Sequence, residues 1–261
     1  MHVQVLSSGS EGNSCLVRAG EISVLVDAGL PPGRLYERFE ASRVTPRMID
    51  HVVVTHGHLD HARSAGVIGK KHDATVHCAQ NIMRHRAVLR APRLSTLKIG
   101  SRFVLENAKT QDELGVTCIE LPHDCDPTVA IRLDHDGRSC VVLTDMGVPR
   151  EETARRLRGA EMLVLEFNYD PAMLEVGPYS DALKKRISSG RGHLSNAEAG
   201  RMLEWMATAE LHTLVLAHIS QRNNTPELAL REARASLERI GRSDVEVLVA
   251  SQHEIGPNLK V

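Results

Sequence analysis

The stretch THGHLDH, residues 55–61, constrains this chain more than any other. It places His56, His58, Asp60 and His61 within six residues, directly after the apolar run 49–54. Imidazoles and a carboxylate so close together resist burial without partners, and the imidazoles repel one another when protonated. A divalent cation answers both difficulties, because neutral His and ionised Asp are the forms that Zn²⁺ or Mn²⁺ bind. The spacing says more than the composition. Helical zinc motifs set two His at i and i+4, whereas here the His stand at i and i+2, followed by Asp60 and His61. One ion does not readily take all four from so short a loop. A loop that sends His56 and His58 one way and Asp60 and His61 the other holds two ions side by side, and calls for further ligands elsewhere in the chain. The competing reading is a solvated polar loop that is merely rich in His.

A chain of 261 residues is long enough for one large domain, residues 1–261, with a substantial core. The formal net charge is −1, so the global basic footprint of many nucleic-acid binders is absent; bound cations would add local positive charge that this count omits. The N-terminus MHVQVLSSGS lacks the basic and apolar regions of a signal peptide, and no run approaches a membrane-spanning length. A cytoplasmic location and no membrane partner are therefore expected. Cys15, Cys78, Cys118, Cys125 and Cys140 are odd in number and scattered, without a CxxC pair, which reads as reduced thiols, with Cys125 a bystander two residues from His123.

Apolar runs at 3–6, 15–17, 22–26, 49–54, 74–78, 103–105, 116–121, 129–133, 139–144, 162–165, 213–217 and 245–249 read as strands. Asp136-Gly137 marks a hairpin turn. Helices are expected at 31–42, from 61 to 71, at 81–90 and 179–187, from Ser195 (whose Glu198 completes a capping box) to about Met206, and from Thr225 to about Ile240. The serine and glycine loop 7–14 is either an anion nest or a plain hairpin loop. Arg84, Arg86, Arg90 and Arg93 form a solvated basic face or a contact for a phosphate backbone. One pattern recurs: strands end in Asp27, His56, His123, Asp145, Glu166 and His218, which gathers ligand chemistry at the edges of the sheets. Asp27 is expected to orient a metal-ligating His from behind. The arrangement expected is two mostly β halves face to face, each covered by helices.

THGHLDH matches the HxHxDH signature and so resembles the metallo-β-lactamase superfamily. The resemblance implies an α+β fold, a four-layer αββα sandwich. It also implies a ligand set in which His123 joins His56 and His58, His218 joins Asp60 and His61, and Asp145 bridges two divalent ions, Zn²⁺ or Mn²⁺, with Fe²⁺ equally suited to these donors. A hydroxide shared by the ions would attack, with Asp60 steering it. His193 would protonate the leaving group or clamp an oxyanion, with Glu166 holding its tautomer. The remaining histidines, His253 near the C-terminus included, are read as structural.

Further blocks narrow the resemblance: SGSEGNSCLV, TDMG, LEFNYDPAML, GPYSDALKKRISSGRGHLSN and HISQRNN are similar, in order, to the YycJ/WalJ-like branch. That branch implies a cytosolic two-metal phosphodiesterase acting on nucleic acid, DNA rather than RNA, as a 5′-to-3′ exonuclease, with hydroxide attacking phosphorus. On these blocks Ser10, Asn13, Asn168, Ser195, Ser220 and Asn223 are expected to contact substrate. One departure stands out: Tyr169 occupies the place of a His in the branch's ESNHD segment. GHLSN followed later by HIS is also similar to tRNase Z, a tRNA 3′-end endonuclease, but the chain has no room for that family's long arm. The alternative of another class is a small-molecule hydrolase for a cyclic phosphodiester, a glutathione thioester or a lactone. A metal-bearing binding protein without turnover sits poorly with so complete a ligand set, and Asp145 argues against a class B β-lactamase with a Cys ligand.

Overall fold

Val, Ile and Leu runs of three to six residues are too short for helices and bury well as pleated strands, and that is how this chain uses them. The structure is a computed structural model that describes residues 1–44, 48–107 and 110–261. The chain divides into two compact units: Met1–Cys118 with Leu133–Arg138 and Ser251–Val261, and Ile119–Arg132 with Ser139–Ala250.

In the first unit, β1 (His2–Ser7), β2 (Ser14–Ala19), β3 (Ile22–Val26), β4 (His51–Val53), β5 (Thr75–Cys78) and β6 (Arg93–Thr96) follow one another across a sheet, with the C-terminal strand Leu259–Lys260 beside β1. The early pairs are antiparallel, and β3 to β6 are parallel. Parallel strands place their carboxyl ends at one edge, so Val26 pairs with Val53 and the chain leaves both strands there, toward Asp27 and Thr55. Helices α1 (Pro32–Ala41), α2 (Leu59–Ala62) and α3 (Ala65–His72) belong to this unit. Pro32 suits the first turn of α1, and Leu35 and Phe39, one turn apart, enter a core with Leu16, Leu25, Ile68 and Val76.

The second sheet has the order β13, β12, β11, β10, β9, β8, β7, where β7 is Arg102–Glu106, β8 Glu113–Leu121, β9 Thr128–His135, β10 Arg138–Leu143, β11 Met162–Glu166, β12 Thr213–Ala217 and β13 Glu246–Val249. Strands β10 to β13 are parallel. All residues of β11 and β12 are buried, as expected of parallel strands covered on both faces; burying each Leu or Val there is worth about 1.5–3 kcal/mol. The second unit also holds α4 (Glu151–Leu157), α5 (Pro171–Val176), α6 (Asp181–Ile187), α7 (Asn196–Met206) and α8 (Pro226–Arg239). Its core gathers Leu143, Leu165, Phe167, Met202, Leu203 and Leu216. Ser195 and Glu198 make the capping box of α7, and Thr225 caps α8 ahead of Pro226.

Three expectations are corrected. The helix from 61 to 71 is two helices, because the chain breaks at Arg63-Ser64, where the Ser64 hydroxyl donates to the Leu30 carbonyl at 2.6 Å. The helix at 81–90 is a single 3₁₀ turn, Gln80–Ile82, followed by turns. There Gly66 N–H donates to the Ala87 carbonyl at 2.7 Å, so contact with α3 organises the segment in place of a helical ladder. The strand at 49–54 shortens to β4. The hairpin turn is as read, with Asp136 and Gly137 both at positive φ.

Candidate metal centre

Behind THGHLDH, the first unit builds a rigid support out of backbone. Asn13 N–H donates to the Asp60 carbonyl at 2.7 Å, Ala28 N–H to the His61 carbonyl at 2.7 Å, and Gly29 N–H to the Asn13 carbonyl at 2.9 Å. These bonds lace three loops, 9–13, 27–30 and 60–64. Gly29 makes the lacing sterically feasible, since a Cβ there would lie 1.6 Å from the Asp60 carbonyl oxygen.

The side chains then set the tautomers. Asp27, 2 % exposed and at φ +61°, accepts from Thr55 N–H at 2.8 Å and from the Thr55 hydroxyl at 2.8 Å. The same carboxylate lies 2.7 Å from His61 Nδ1, so that nitrogen carries the proton and Nε2 carries the lone pair. The Asn13 amide, 3.0 Å from His61 Nε2, points its N–H at that lone pair. Because the Thr55 hydroxyl donates to Asp27, its oxygen accepts from His56 Nδ1–H at 3.1 Å. The lone pair of His56 is therefore on Nε2, and it sits 3.1 Å from His58 Nδ1. Two nitrogens bonded to one tetrahedral zinc at about 2.0–2.1 Å stand roughly 3.3 Å apart. Asp60 Oδ2 is 3.6 Å from His61 Nε2, and Asp60 is partly exposed. His56 and His61 are fully buried. The donor set and its spacing fit divalent cations.

In the second unit the donors come from strand ends. Adjacent parallel strands β10, β11 and β12 pair Leu143 with Leu165 and Glu166 with Ala217, which brings Asp145, Glu166 and His218 to one edge. The structure also brings His193 there: one donor atom each from Asp145, Glu166, His193 and His218 lie within 4.8 Å of one another. Glu166 is fully buried and fully engaged. Its Oε1 accepts Nδ1–H from His193 at 2.8 Å and from His218 at 3.0 Å; its Oε2 accepts from Met146 and Leu194 N–H at 3.1 and 3.2 Å. Burial alone would raise this carboxyl, but His193 and His218 more than offset it and hold the group well below the usual carboxylate range. A carboxylate oxygen serving two N–H donors orients histidines and does not itself ligate. His218 therefore presents Nε2. Asp145 Oδ1 stands 3.5 Å from the Nδ1 atoms of His193 and His218 and 3.8 Å from His123 Nε2. His123 gives its Nδ1 proton to the Gly192 carbonyl at 2.9 Å. That carbonyl is fixed because the loop before His193 runs tightly over Gly147, where a Cβ would meet Arg191 N at 2.4 Å.

Asp27, Asp145 and His218 share a feature the sequence does not announce: φ of +61°, +64° and +53° on non-glycine residues. Each costs on the order of 1 kcal/mol or more and persists because its side chain and backbone are held on several sides.

The residues expected to contact substrate have the following partners in the structure. Asn13 braces Gly9 and His61. Asn168 donates to the His218 carbonyl at 2.7 Å. The Ser195 hydroxyl is committed to Glu198 at 2.6 Å, and that of Ser220 accepts from Asn223 N–H. Asn223 is 1 % exposed and packs against Gly177. Ser10 alone among the six is exposed. Tyr169 is buried beside Ser195, and burial followed by the charge of Glu198 pushes its hydroxyl up to about 12, so it stays neutral. His253 is exposed. Cys78 and Cys118 are buried thiols pushed up to about 11 and 12, which suits inert core positions. Sequence reasoning missed the grip of Glu166 on His218; its only signal was a Glu and a His at the ends of two apolar runs, which the structure sets side by side by pairing Glu166 with Ala217.

Comparison with known proteins gives three findings. A family model, the beta-lactamase superfamily domain, matches residues 23–219. The chain is 30 % identical over 246 residues to exodeoxyribonuclease YycJ of Bacillus anthracis, covering 92 % of this chain and 90 % of that protein, and 28 % identical over 275 residues to ribonuclease Z of Kineococcus radiotolerans, covering 88 % and 84 %. Among solved structures, the metallo-beta-lactamase fold protein YhfI from Bacillus subtilis superposes with a TM-score of 0.72 at 18 % identity, over 97 % of this chain and 98 % of that one. That likeness shows the fold, and it agrees with the α+β class read from the sequence. Among the described residues no helix is long and apolar enough to cross a membrane.

Proposed function

This chain belongs to the beta-lactamase superfamily, and from that premise we propose that it is a two-metal phosphodiesterase acting on nucleic acid, a DNA 5′-to-3′ exonuclease. The observation that carries the reading is Glu166, one buried carboxylate that fixes the tautomers of His193 and His218 beside Asp145. Such a group is costly to bury and belongs where ring orientation matters. The substrate class rests on the names of the relatives.

In this proposal residues 1–261 work as one domain. His56, His58 and His123 would hold one ion and Asp60, His61 and His218 the other, with Asp145 as the ligand they would share. Zn²⁺, Mn²⁺ and Fe²⁺ all suit these donors. When bound, the ions supply Lewis acidity toward a phosphoryl oxygen and lower the pKa of water at the site. Asp60 accepts a hydrogen bond from the attacking water and steers it. His193 is 20 % exposed and can reach substrate, while Glu166 Oε1 pins its Nδ1–H at 2.8 Å and so fixes the ring's orientation. His193 Nε2–H is then the proton source for the leaving oxygen. Ser10 remains as an exposed contact for the incoming strand.

The test adds Zn²⁺ or Mn²⁺ to chelator-stripped protein and follows end-labelled single- and double-stranded DNA beside an RNA with a 3′ trailer, with Asp145→Ala as control. Metal-dependent shortening of DNA from the 5′ end, lost in the variant, is the expected result. A single cut in the RNA would favour the second reading, a tRNase Z-like endonuclease, for which the ribonuclease Z relative speaks. Hydrolysis confined to small phosphodiesters or thioesters would remove nucleic acid from the account.

A further inference from the structure

The charge balance of the whole chain hides a local excess. Residues 61–91 carry Arg63, Lys70, Lys71, Arg84, Arg86 and Arg90 against one acid, Asp73. That acid is already engaged by Arg93 at 2.9 Å. Arg63, Arg84, Arg86 and Arg90 are all exposed. Three other exposed arginines sit beside carboxylates: Arg155 on Glu151, Arg186 on Asp124, and Arg239 on Glu204 and Glu232. These four make no such pair among the described residues.

The fold sets the four arginines beside the histidine loop of the same unit. Arg63 caps α2, the helix that carries Asp60 and His61, and α3 begins two residues later. The turns from Met83 to Ala91 rest on the start of α3, where Gly66 lies so close that a Cβ would meet the Ala87 carbonyl oxygen at 2.7 Å and Arg90 N at 3.1 Å. Ala87 and Val88 are buried in the core with Ala62, Ala65 and Ile68, which turns Arg84, Arg86 and Arg90 outward from a fixed base. Guanidinium forks on a fixed base are suited to phosphate oxygens. Residues 61–91 contain no Phe, Tyr or Trp on which bases could stack.

We propose that Arg63, Arg84, Arg86 and Arg90 form a sequence-independent binding surface for the phosphate backbone of a nucleic-acid strand, which guides that strand to the THGHLDH loop. The proposal rests on the nuclease reading for its substrate class. It adds that affinity is electrostatic and comes from this face of the first unit.

The test measures fluorescence anisotropy of a labelled, phosphorothioate-linked oligodeoxythymidine of about a dozen nucleotides with metal-loaded protein, over a salt series. Combined Arg84→Gln, Arg86→Gln and Arg90→Gln substitution is expected to weaken binding about tenfold or more at low salt. It is also expected to flatten the slope of log K against log salt by about 2, at roughly 0.7 per phosphate contact for a single strand. The matching Arg→Lys variant keeps the charge and is expected to stay within about threefold of wild type. It also separates lost contacts from lost folding, as does an unchanged metal content. Arg231→Gln with Arg234→Gln, on the exposed face of α8, is expected to change nothing. Wild-type affinity and salt slope in the triple Gln variant, an equal loss in the α8 pair, or no oligonucleotide binding by wild type would each overturn the proposal. So would unchanged oligonucleotide binding with lost binding to phosphatidylserine vesicles, which would assign the patch to a lipid surface. Binding that depends on these arginines without any cleavage by wild type would sink the nuclease reading and leave the surface standing.

Discussion

In the first unit four donors come from one continuous word, THGHLDH, and neighbouring backbone holds them: Gly29 against Asp60, Asn13 on Asp60, Ala28 on His61. In the second unit the donors come from separate strand ends, and one side chain, Glu166, holds His218 together with His193 from the loop before α7. A glycine serves each region, Gly29 beneath the histidine loop and Gly147 beneath the loop before His193. The difference teaches where each is vulnerable. The continuous site fails through its packing, because a displaced main chain carries every ligand with it. The dispersed site fails through its electrostatics, because its histidines lose their orientation one carboxylate at a time.

Gly29→Ala is the severest test of the packing side. With a Cβ 1.6 Å from the Asp60 carbonyl the loops must part, at an expected cost of about 3 kcal/mol or more in stability, together with lost metal binding; denaturant unfolding and metal content measure the two. Glu166→Gln tests the electrostatic side. The amide keeps the shape but offers one uncharged acceptor oxygen where two oxygens served four N–H donors, and about 100-fold weaker metal affinity or activity is expected, with a smaller loss of stability than in Gly29→Ala. A large stability loss and normal metal affinity in that variant would reverse the comparison.

Asp27→Asn sharpens it, since Asp27 is the nearest thing the first unit has to Glu166. Thr55 and Asn13 also brace this loop, so a smaller effect is expected, about tenfold in metal affinity. An effect equal to that of Glu166→Gln would mean that both regions depend on one carboxylate alike.

How much of this was legible in the chain follows the same division. THGHLDH and the strand ends could be read because polar ligands interrupt apolar runs. The segment 81–90 departs from the expected helix because Ala87 and Val88 anchor turns to α3, a contact that no local pattern of the segment reveals. Strand β6 has little apolar content of its own and exists by pairing with β5. The left-handed backbone at Asp27, Asp145 and His218 leaves no mark in residue type, since nothing there is glycine. The grip of Glu166 on two histidines far apart in the chain required the fold.

A last, smaller effect lies away from both sites. His51 Nε2–H donates to the Glu106 carbonyl at 3.1 Å, so its Nδ1 accepts from His77, also at 3.1 Å. That pairing needs His51 neutral, so that its Nδ1 keeps the lone pair. Burial, then the charge of His51, lowers His77 from 6.5 to about 4; burial lowers His51, only partly offset by the Glu106 carbonyl. The unfolded chain takes these protons first as pH falls, so this contribution is complete above about pH 6.5 and is lost between there and about pH 4. A loss on the order of 1 kcal/mol is expected between pH 7 and 5, and His77→Gln is expected to reduce that slope in denaturant melts.

The most direct measurement is a metal titration of chelator-stripped protein in which bound metal and shortening of 5′-labelled DNA are followed together. Activity is expected to rise until two equivalents of Zn²⁺ or Mn²⁺ per chain are bound, and Asp145→Ala to fail at any loading. Full activity at one equivalent or none, or two bound ions with no cleavage of nucleic acid, would contradict the two-metal nuclease reading.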